Sequence, residues 1–540
     1  MNRSKNLERL ENEQFDICII GGGASGAGCA LDAVLRGFKV ALIEKEDFAA
    51  ETSSKSTKLI HGGVRYLEQA FKNLDFAQLR QVKHGLEERH TVIRNAPHLA
   101  HPLALITPVF SWFEGFYFKI GLTIYGFFAK NDSMPKAEWL NKKETFEHIP
   151  TLTPKLHSSV MYYDGQLDDA RYCLALAHSA EEAGVAVVNH ASIINFQKDN
   201  NGKLTTAIVK DNLSENSISV KAKLFINCTG PHGDSIRLLA NDKQEKRLRP
   251  SKGVHIMLPA EVLNSQDAML IPKTKDGRVI FVIPFEGEVM VGTTDDEYRD
   301  LEKEPILIEQ EIDFLLDTLR PYIAKVPDKS AIKSGFGGLR PLIASSGSKA
   351  TKKLVRDHEV EYDEKSNLLS LLGGKWTTYR LMAKDTIDEA CKILNKDSAC
   401  KTELHYLVGG ENYNFEEWKN IQKKYKLDED ICQHLLKKYG TKASEVLEIS
   451  SLTERIHKDY PFIKAEVIYT VREEMVGSLR DFFARRTRME LMDWNATFSS
   501  VDVVADIMAI ELNWAETQKQ TNITDYKKLL KNFMQTANVA

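Results

Sequence analysis

Apolar residues in this chain fall into short unbroken runs in its first half and into helical spacing near its end. Phe15-Asp16-Ile17-Cys18-Ile19-Ile20 is a brief, nearly continuous apolar run, as expected of a strand buried on both faces. Glycines follow at once, then small residues from Ala24 to Arg36 that predict a helix ended by Gly37. Lys39 to Glu44 supplies a second strand and completes a βαβ unit. Two further strand-like runs, Ala222 to Asn227 and Asn367 to Leu372, end in Cys-Thr-Gly-Pro and Gly-Gly-Lys, and a helix is predicted over Trp376 to Cys391. Residues 250–345 alternate instead, with 278–284 and 289–292 reading as adjacent antiparallel strands. From Phe415 onward helical spacing prevails, as in Ala465, Ile468, Val471, Met475, Leu479 and Phe482. Ser499 with Asp502 gives a capping signal for a helix through Trp514.

These pieces predict an α/β class, α+β overall: a Rossmann-like, doubly wound nucleotide-binding domain interrupted by a sheet and followed by helices. The nucleotide domain would draw on 14–95, about 160–250 and 346–395. A substrate domain would take about 96–159 and 251–345, and an all-helical domain 400–540. A chain of 540 residues exceeds one hydrophobic core, which agrees with this division. The net charge of −4, with basic residues spread throughout, argues against nucleic acid and against strong electrostatic attachment to anionic lipid. The seven cysteines show no CxxC spacing, so neither a metal site nor a disulfide framework is expected, and a reducing cytoplasmic setting fits. The first residues lack the apolar stretch of a signal peptide. The most apolar region, Leu103 to Lys130, is broken by Pro108, Glu114 and Lys119, short of the ~20 residues that span a bilayer.

Gly21-Gly22-Gly23-Ala24-Ser25-Gly26 satisfies GxGxxG between a strand and a helix. Gly21 permits the turn, Gly23 lets backbone approach a pyrophosphate, Gly26 lets helix and strand pack, and Ser25 lies in the first helical turn. Glu44, closing the second strand, is placed to accept from an adenosine ribose and would repel a 2′-phosphate. The motif alone does not separate FAD from NAD.

Residues 51–66 read ETSSKSTKLIHGGVRY, hydroxyl-rich and then glycine-rich, suited to a loop along a pyrophosphate and a planar ring. Together with YYDGQLDDAR (162–171), NCTGP (227–231), SKGVHI (251–256), VGTTDDEY (291–298), GGLRPL (337–342), RDHEV (356–360), GGKWTTYR (373–380) and REEMVGSLRDFFARRTR (472–488), this segment resembles the FAD-dependent glycerol-3-phosphate dehydrogenases. These lie within the D-amino-acid and glycine oxidase superfamily. The resemblance implies FAD, oxidation of sn-glycerol 3-phosphate to dihydroxyacetone phosphate, and electron transfer to a membrane quinone. It also implies peripheral attachment to the inner face of the cytoplasmic membrane. The oligomeric state stays open, a homodimer among the options. Trp112, Phe113, Phe116, Tyr117, Ile120, Ile124, Phe127 and Phe128 recur at near-helical spacing. Such a stripe suits a bilayer interface or a core, and core packing is the preferred reading.

The resemblance places FAD against Thr52, Ser53, Ser54, Lys58, His61, Gly62, Gly63, Thr229, Gly230, Gly374, Lys375, Trp376 and Thr377. It places substrate against Arg65, Tyr66, Arg340, Arg356, Lys375 and Thr378. A phosphorylated polyol calls for directional cations, which arginine supplies. Removing hydride from C2 calls for a base, and histidine is suited to that at neutral pH. His255 ranks first, His61 second as a flavin-side contact, and His358 third. The Gly373-Gly374-Lys375 turn before a helix would stabilise negative charge on the reduced ring. Asp168, Asp169 and Arg171 are read as a charge pair pinning a loop. The competing readings are an oxidase that makes hydrogen peroxide, a non-catalytic flavin-binding scaffold, and a nicotinamide dehydrogenase.

Overall fold

Alternate side chains of the first apolar run go to opposite faces, and both faces are covered. Ile17 and Ile19 join one buried cluster with the Ala24–Leu35 helix, while Cys18 and Ile20 join another beneath the sheet. The computed structural model describes residues 1–63, 76–128, 134–272, 274, 277–344 and 358–539. Gln14–Ile20 is a central strand, parallel to Val40–Ile43 on one side and to Ser217–Asn227 on the other. Ala186–Val188 extends one edge and Leu368–Gly373 the other, both in parallel. His358–Asp363 and the hairpin Ala191–Lys198/Leu204–Asp211 add antiparallel strands.

A second, largely antiparallel sheet runs from Asp296–Glu297 through Ser251–Pro259, Glu288–Gly292, Ile280–Phe285, Ala268–Ile271, Ala100–Val109 and Ser158–Leu167 to Leu59–Ile60. Ile280–Phe285 and Glu288–Gly292 pair antiparallel, as the alternation predicts. The strand 158–167, which straddles the boundary expected near residue 160, pairs along its whole length with Ala100–Val109 in this second sheet. Alternation in that segment is masked because nearly all of it is buried.

Residues 400–539 are helical among the described residues, but the breaks differ from the expected ones. Lys464–Glu473 is a helix, and Met475, at φ +55°, ends its continuity. A π-helical turn over Asp481–Arg486 follows, so Leu479 and Phe482 reach the core from a different element. Helix Trp494–Glu511 is capped by Asp493, whose carboxylate accepts the Ala496 N–H at 2.9 Å. Ser499 lies inside that helix and donates to the Ala496 carbonyl, so it caps nothing.

The aromatic stripe also departs from expectation. Leu122 and Tyr125 turn inward from the Trp112–Phe127 helix, and Ile124 and Phe128 are partly covered. The rest face out: Phe113 and Phe127 are 80% and 81% exposed, and Trp112, Phe116, Tyr117 and Ile120 are exposed beside them. Core packing is thus wrong for most of the stripe, since a helix with two apolar faces gives one periodicity whichever face is covered. No described helix is long and apolar enough to cross a membrane.

Candidate active site

A crevice of about 1000 Å³ separates the carboxyl ends of the parallel strands from one face of the second sheet. Its near wall is the glycine turn. Gly21 has φ +104°, and a Cβ there would lie 2.8 Å from the Cys228 carbonyl oxygen. A Cβ at Gly26 would lie 1.8 Å from the Gly21 carbonyl oxygen, so only glycine lets helix and turn close. Gly21, Gly23, Ser25, Thr229 and Gly230 line the crevice, and Gly26 packs behind them. Glu44 accepts the Gly22 and Glu46 N–H groups at 2.5 and 2.8 Å, and burial pushes its carboxyl up to about 7. Each carboxylate oxygen keeps a further lone pair for a ribose hydroxyl. Glu44→Ala is therefore expected to weaken FAD binding about 10- to 100-fold, read by titrating FAD into the apoprotein.

The Thr52–His61 segment crosses the crevice and is stitched on both sides. Ser53 Oγ accepts the Ala24 N–H at 2.9 Å, and the Trp376 indole donates to the Ser53 carbonyl at 2.9 Å. The Thr52 hydroxyl donates to the Leu339 carbonyl at 2.7 Å, and Thr377 Oγ1 accepts the His61 N–H at 3.3 Å. Gly373 and Gly374 both have positive φ. They lead into a 3-10 turn over Trp376–Thr378, and the α-helix begins only at Tyr379. The expected helix N-terminus directly after Lys375 is thus displaced by one turn.

The far wall is the sheet face bearing Ser251–Pro259 and Ser334–Arg340. Register pairs His255 with Phe336 and Gly253 with Gly338, so these four and Arg340 share one face. A Cβ on Gly253 would meet both terminal nitrogens of Arg340, and one on Gly338 would meet Lys55. The two glycines clear room for a guanidinium and for the crossing loop. Arg340 donates to Thr293 Oγ1 and the Thr294 carbonyl, each at 3.1 Å, with Asp295 at 3.5 Å. His255 stacks on Phe336, with ring centroids 4.8 Å apart, and its Nε2 lies 3.0 Å from the Thr57 hydroxyl. Burial, then the charges of Lys58 and Arg340, holds His255 well below the usual histidine range, so it is neutral. His255 and the Gly253 position under Arg340 are two residues apart on one strand, about 7 Å.

Two family models match the chain: FAD dependent oxidoreductase over residues 16–384, and C-terminal domain of alpha-glycerophosphate oxidase over 400–519. The mitochondrial glycerol-3-phosphate dehydrogenase of Arabidopsis thaliana is 38% identical over 98% of this chain and 87% of its own. The mitochondrial enzyme of Homo sapiens is 38% identical over 98% of this chain and 75% of its own. The chain belongs to the FAD-dependent glycerol-3-phosphate dehydrogenase family. The glycerol-3-phosphate dehydrogenase of Bacillus halodurans, solved with FAD, matches with a TM-score of 0.80 and 29% identity, covering 98% of this chain and 97% of that one. An L-alpha-glycerophosphate oxidase from Mycoplasma pneumoniae, 20% identical with a TM-score of 0.56, shares the fold.

The crevice fits the family's FAD on its own features, namely glycine turns that side chains would block and a carboxylate ending the second strand. Thr52, Ser53, His61, Lys375, Trp376, Thr377, Gly374 and Arg340 line it. Others do not. Lys58 is buried beneath the loop, where it donates to the Ser54 carbonyl and to Asp169 at 2.7 Å each; burial pushes it down to about 7. Ser54 supplies that carbonyl from behind. Gly62 packs on Val82 and Leu86, its N–H donating to Tyr125 at 2.7 Å, and Gly63 is buried outside the lining. Thr378 donates to the Lys375 carbonyl within its own turn. His358 pairs with Asp385 at 2.9 Å and is not among the residues that line the crevice. Arg65, Tyr66 and Arg356 lie outside the described residues.

Thr57 was missed, although the hydroxyl-rich segment held the signal. His190–Ile193 and Leu301–Pro305 also line the crevice and carry no local motif, while Ser478 and Arg485 line it from the 472–488 segment. Asp47, His190 and Asp481 cluster there, but Arg485 and Arg486 each bond Asp47 at 2.6 Å, which makes the cluster an ion-pair network.

Proposed function

We propose that this protein oxidises sn-glycerol 3-phosphate to dihydroxyacetone phosphate and passes the electrons to a membrane quinone. The observation that carries the reading is the shared sheet face that presents a neutral His255 and the Arg340 guanidinium to the crevice, opposite the glycine turn. FAD, when bound, accepts the hydride leaving C2. His255 takes the C2 hydroxyl proton on Nε2, the nitrogen beside the Thr57 hydroxyl, since Nδ1 is buried, with the ring held flat on Phe336. Arg340, preset by Thr293 and the Thr294 carbonyl, offers a planar fork to the phosphate or the polyol hydroxyls. Lys375 lines the same crevice and adds a second cation. Covalent chemistry from the protein is not required; positioning and charge suffice.

A quinone acceptor needs access from a bilayer, and the outward aromatic face of the Trp112–Phe127 helix suits the interface. Burying two phenylalanines in lipid contributes about 3–6 kcal/mol. The double variant Phe113→Asp, Phe127→Asp is expected to lose vesicle binding by at least about 100-fold and to keep substrate-driven flavin reduction. Flotation with liposomes checks this, and undiminished flotation would remove the helix from the membrane surface.

The function itself is tested by adding sn-glycerol 3-phosphate anaerobically to the yellow protein, then a quinone analogue. Bleaching followed by recovery with quinone supports the reading. Recovery only with air would assign an oxidase, and no bleaching would remove the substrate.

A further inference from the structure

The loop that crosses the crevice has a back as well as a front, and the back belongs to the C-terminal helices. Arg488 follows the π-helical turn with left-handed backbone, φ +69°, and a buried side chain. One terminal nitrogen donates to the Ser54 carbonyl at 2.7 Å and to Asp169 Oδ1 at 2.9 Å, and the other to the Ala484 carbonyl at 2.9 Å. Lys58 Nζ meets the same two acceptors, the Ser54 carbonyl and Asp169, from within the loop. Asp169 Oδ2 also accepts the Ser56 N–H at 3.0 Å and the Ser56 hydroxyl at 2.7 Å. One carbonyl and one carboxylate, held between the buried Arg488 guanidinium and the buried Lys58 amine, thus tie down residues 54, 56 and 58. Between them stands Thr57, whose hydroxyl touches the His255 ring. Nothing in the proposed chemistry uses Arg488 directly.

We propose that Arg488 is a positioning residue of the reaction centre: through Ser54 and Asp169 it fixes the Thr52–Lys58 loop so that Thr57 orients the His255 imidazole. The inference rests on the reading of His255 as the base. Its geometry requires a fork. A guanidinium reaches the Ser54, Asp169 and Ala484 acceptors at once, whereas a lysine in that place keeps the charge and loses the simultaneous reach. The helical domain then does more than cover the nucleotide domain, because it supplies the rear support of the loop that carries Thr57.

The experiment compares Arg488→Lys, Thr57→Val and the double variant as FAD-loaded full chains. Flavin reduction by saturating sn-glycerol 3-phosphate is measured anaerobically, and ¹⁵N spectra of histidine-labelled protein are recorded without substrate, His255 being identified by loss in His255→Gln. Arg488→Lys is expected to slow reduction about 10- to 100-fold with KM little changed, because a small misplacement near the reacting atoms has that effect. The double variant should be no slower than the slower single variant, since both act through one contact. The His255 Nε2 resonance of Arg488→Lys should move to that of Thr57→Val. A wild-type reduction rate in Arg488→Lys, multiplicative effects in the double variant, or an unmoved resonance would overturn the proposal. If Arg488→Lys does not accumulate as holoenzyme, the same cycle on Asp169→Asn, which is equal in size, decides. If substrate fails to bleach even the wild-type protein, the activity reading falls by itself and the nitrogen spectra decide on the positioning.

Discussion

Replacing His255 by alanine is expected to slow substrate-driven flavin reduction by roughly 10²–10⁴-fold, the usual worth of a positioned base. FAD should stay bound, because none of the glycine-turn contacts involves this ring. His255 is 2% exposed and stacked on Phe336, so alanine leaves a hole; His255→Gln fills it and serves as the control for packing. A rate retained in both variants would pass the role to His61 or to water. The pH dependence carries the same argument. Burial and two neighbouring cations depress His255, so its neutral form persists as pH falls through the ordinary histidine value near ~6.5. Reduction by substrate should therefore not lose rate between about pH 8 and about pH 6 through this group. An acid limb centred near the ordinary value, absent from His255→Gln, would show the ring to be solvated and the assignment of its environment wrong.

Arg340→Ala is expected to raise KM about 100- to 1000-fold, equivalent to about 3–4 kcal/mol, with FAD content unchanged. The guanidinium is half-buried and already oriented by Thr293, Thr294 and Asp295, so little ordering remains when an anionic substrate arrives. Arg340→Lys should recover only part of the loss, because a point charge replaces a fork. Steady-state kinetics with a soluble electron acceptor distinguish the cases, and wild-type KM in the alanine variant would take Arg340 out of the substrate site.

The legible parts of the site were those in which a few adjacent residues meet a steric demand. Gly21, Gly23 and Gly26 are readable because a turn with no room for a Cβ must be glycine, and Glu44 because a strand end fixes its place. Lys58 was misplaced because a cation inside a cofactor-like string reads as facing the cofactor. Its partner Asp169 lies 111 residues away, and nothing local announces that the pair is buried. Strand 158–167 was not read from the sequence for a related reason, since an almost wholly buried strand shows no polar alternation. The aromatic stripe failed differently: periodicity reports that residues share a face, not what covers it. His255 and Arg340, in contrast, stood in quoted segments, and strand register put them on one face.

The central position of Gln14–Ile20 has a consequence for synthesis. Its second parallel neighbour, Ser217–Asn227, lies about 200 residues downstream. At roughly 5–20 residues per second, the nascent chain carries an unpaired, largely apolar strand edge for roughly 10–40 s. The sheet closes only when Leu368–Gly373 emerges, later still. Such an exposed edge invites pairing with other chains. Yield in cells should therefore depend on chaperones that bind extended apolar segments, and on cofactor supply only after most of the polypeptide has left the ribosome.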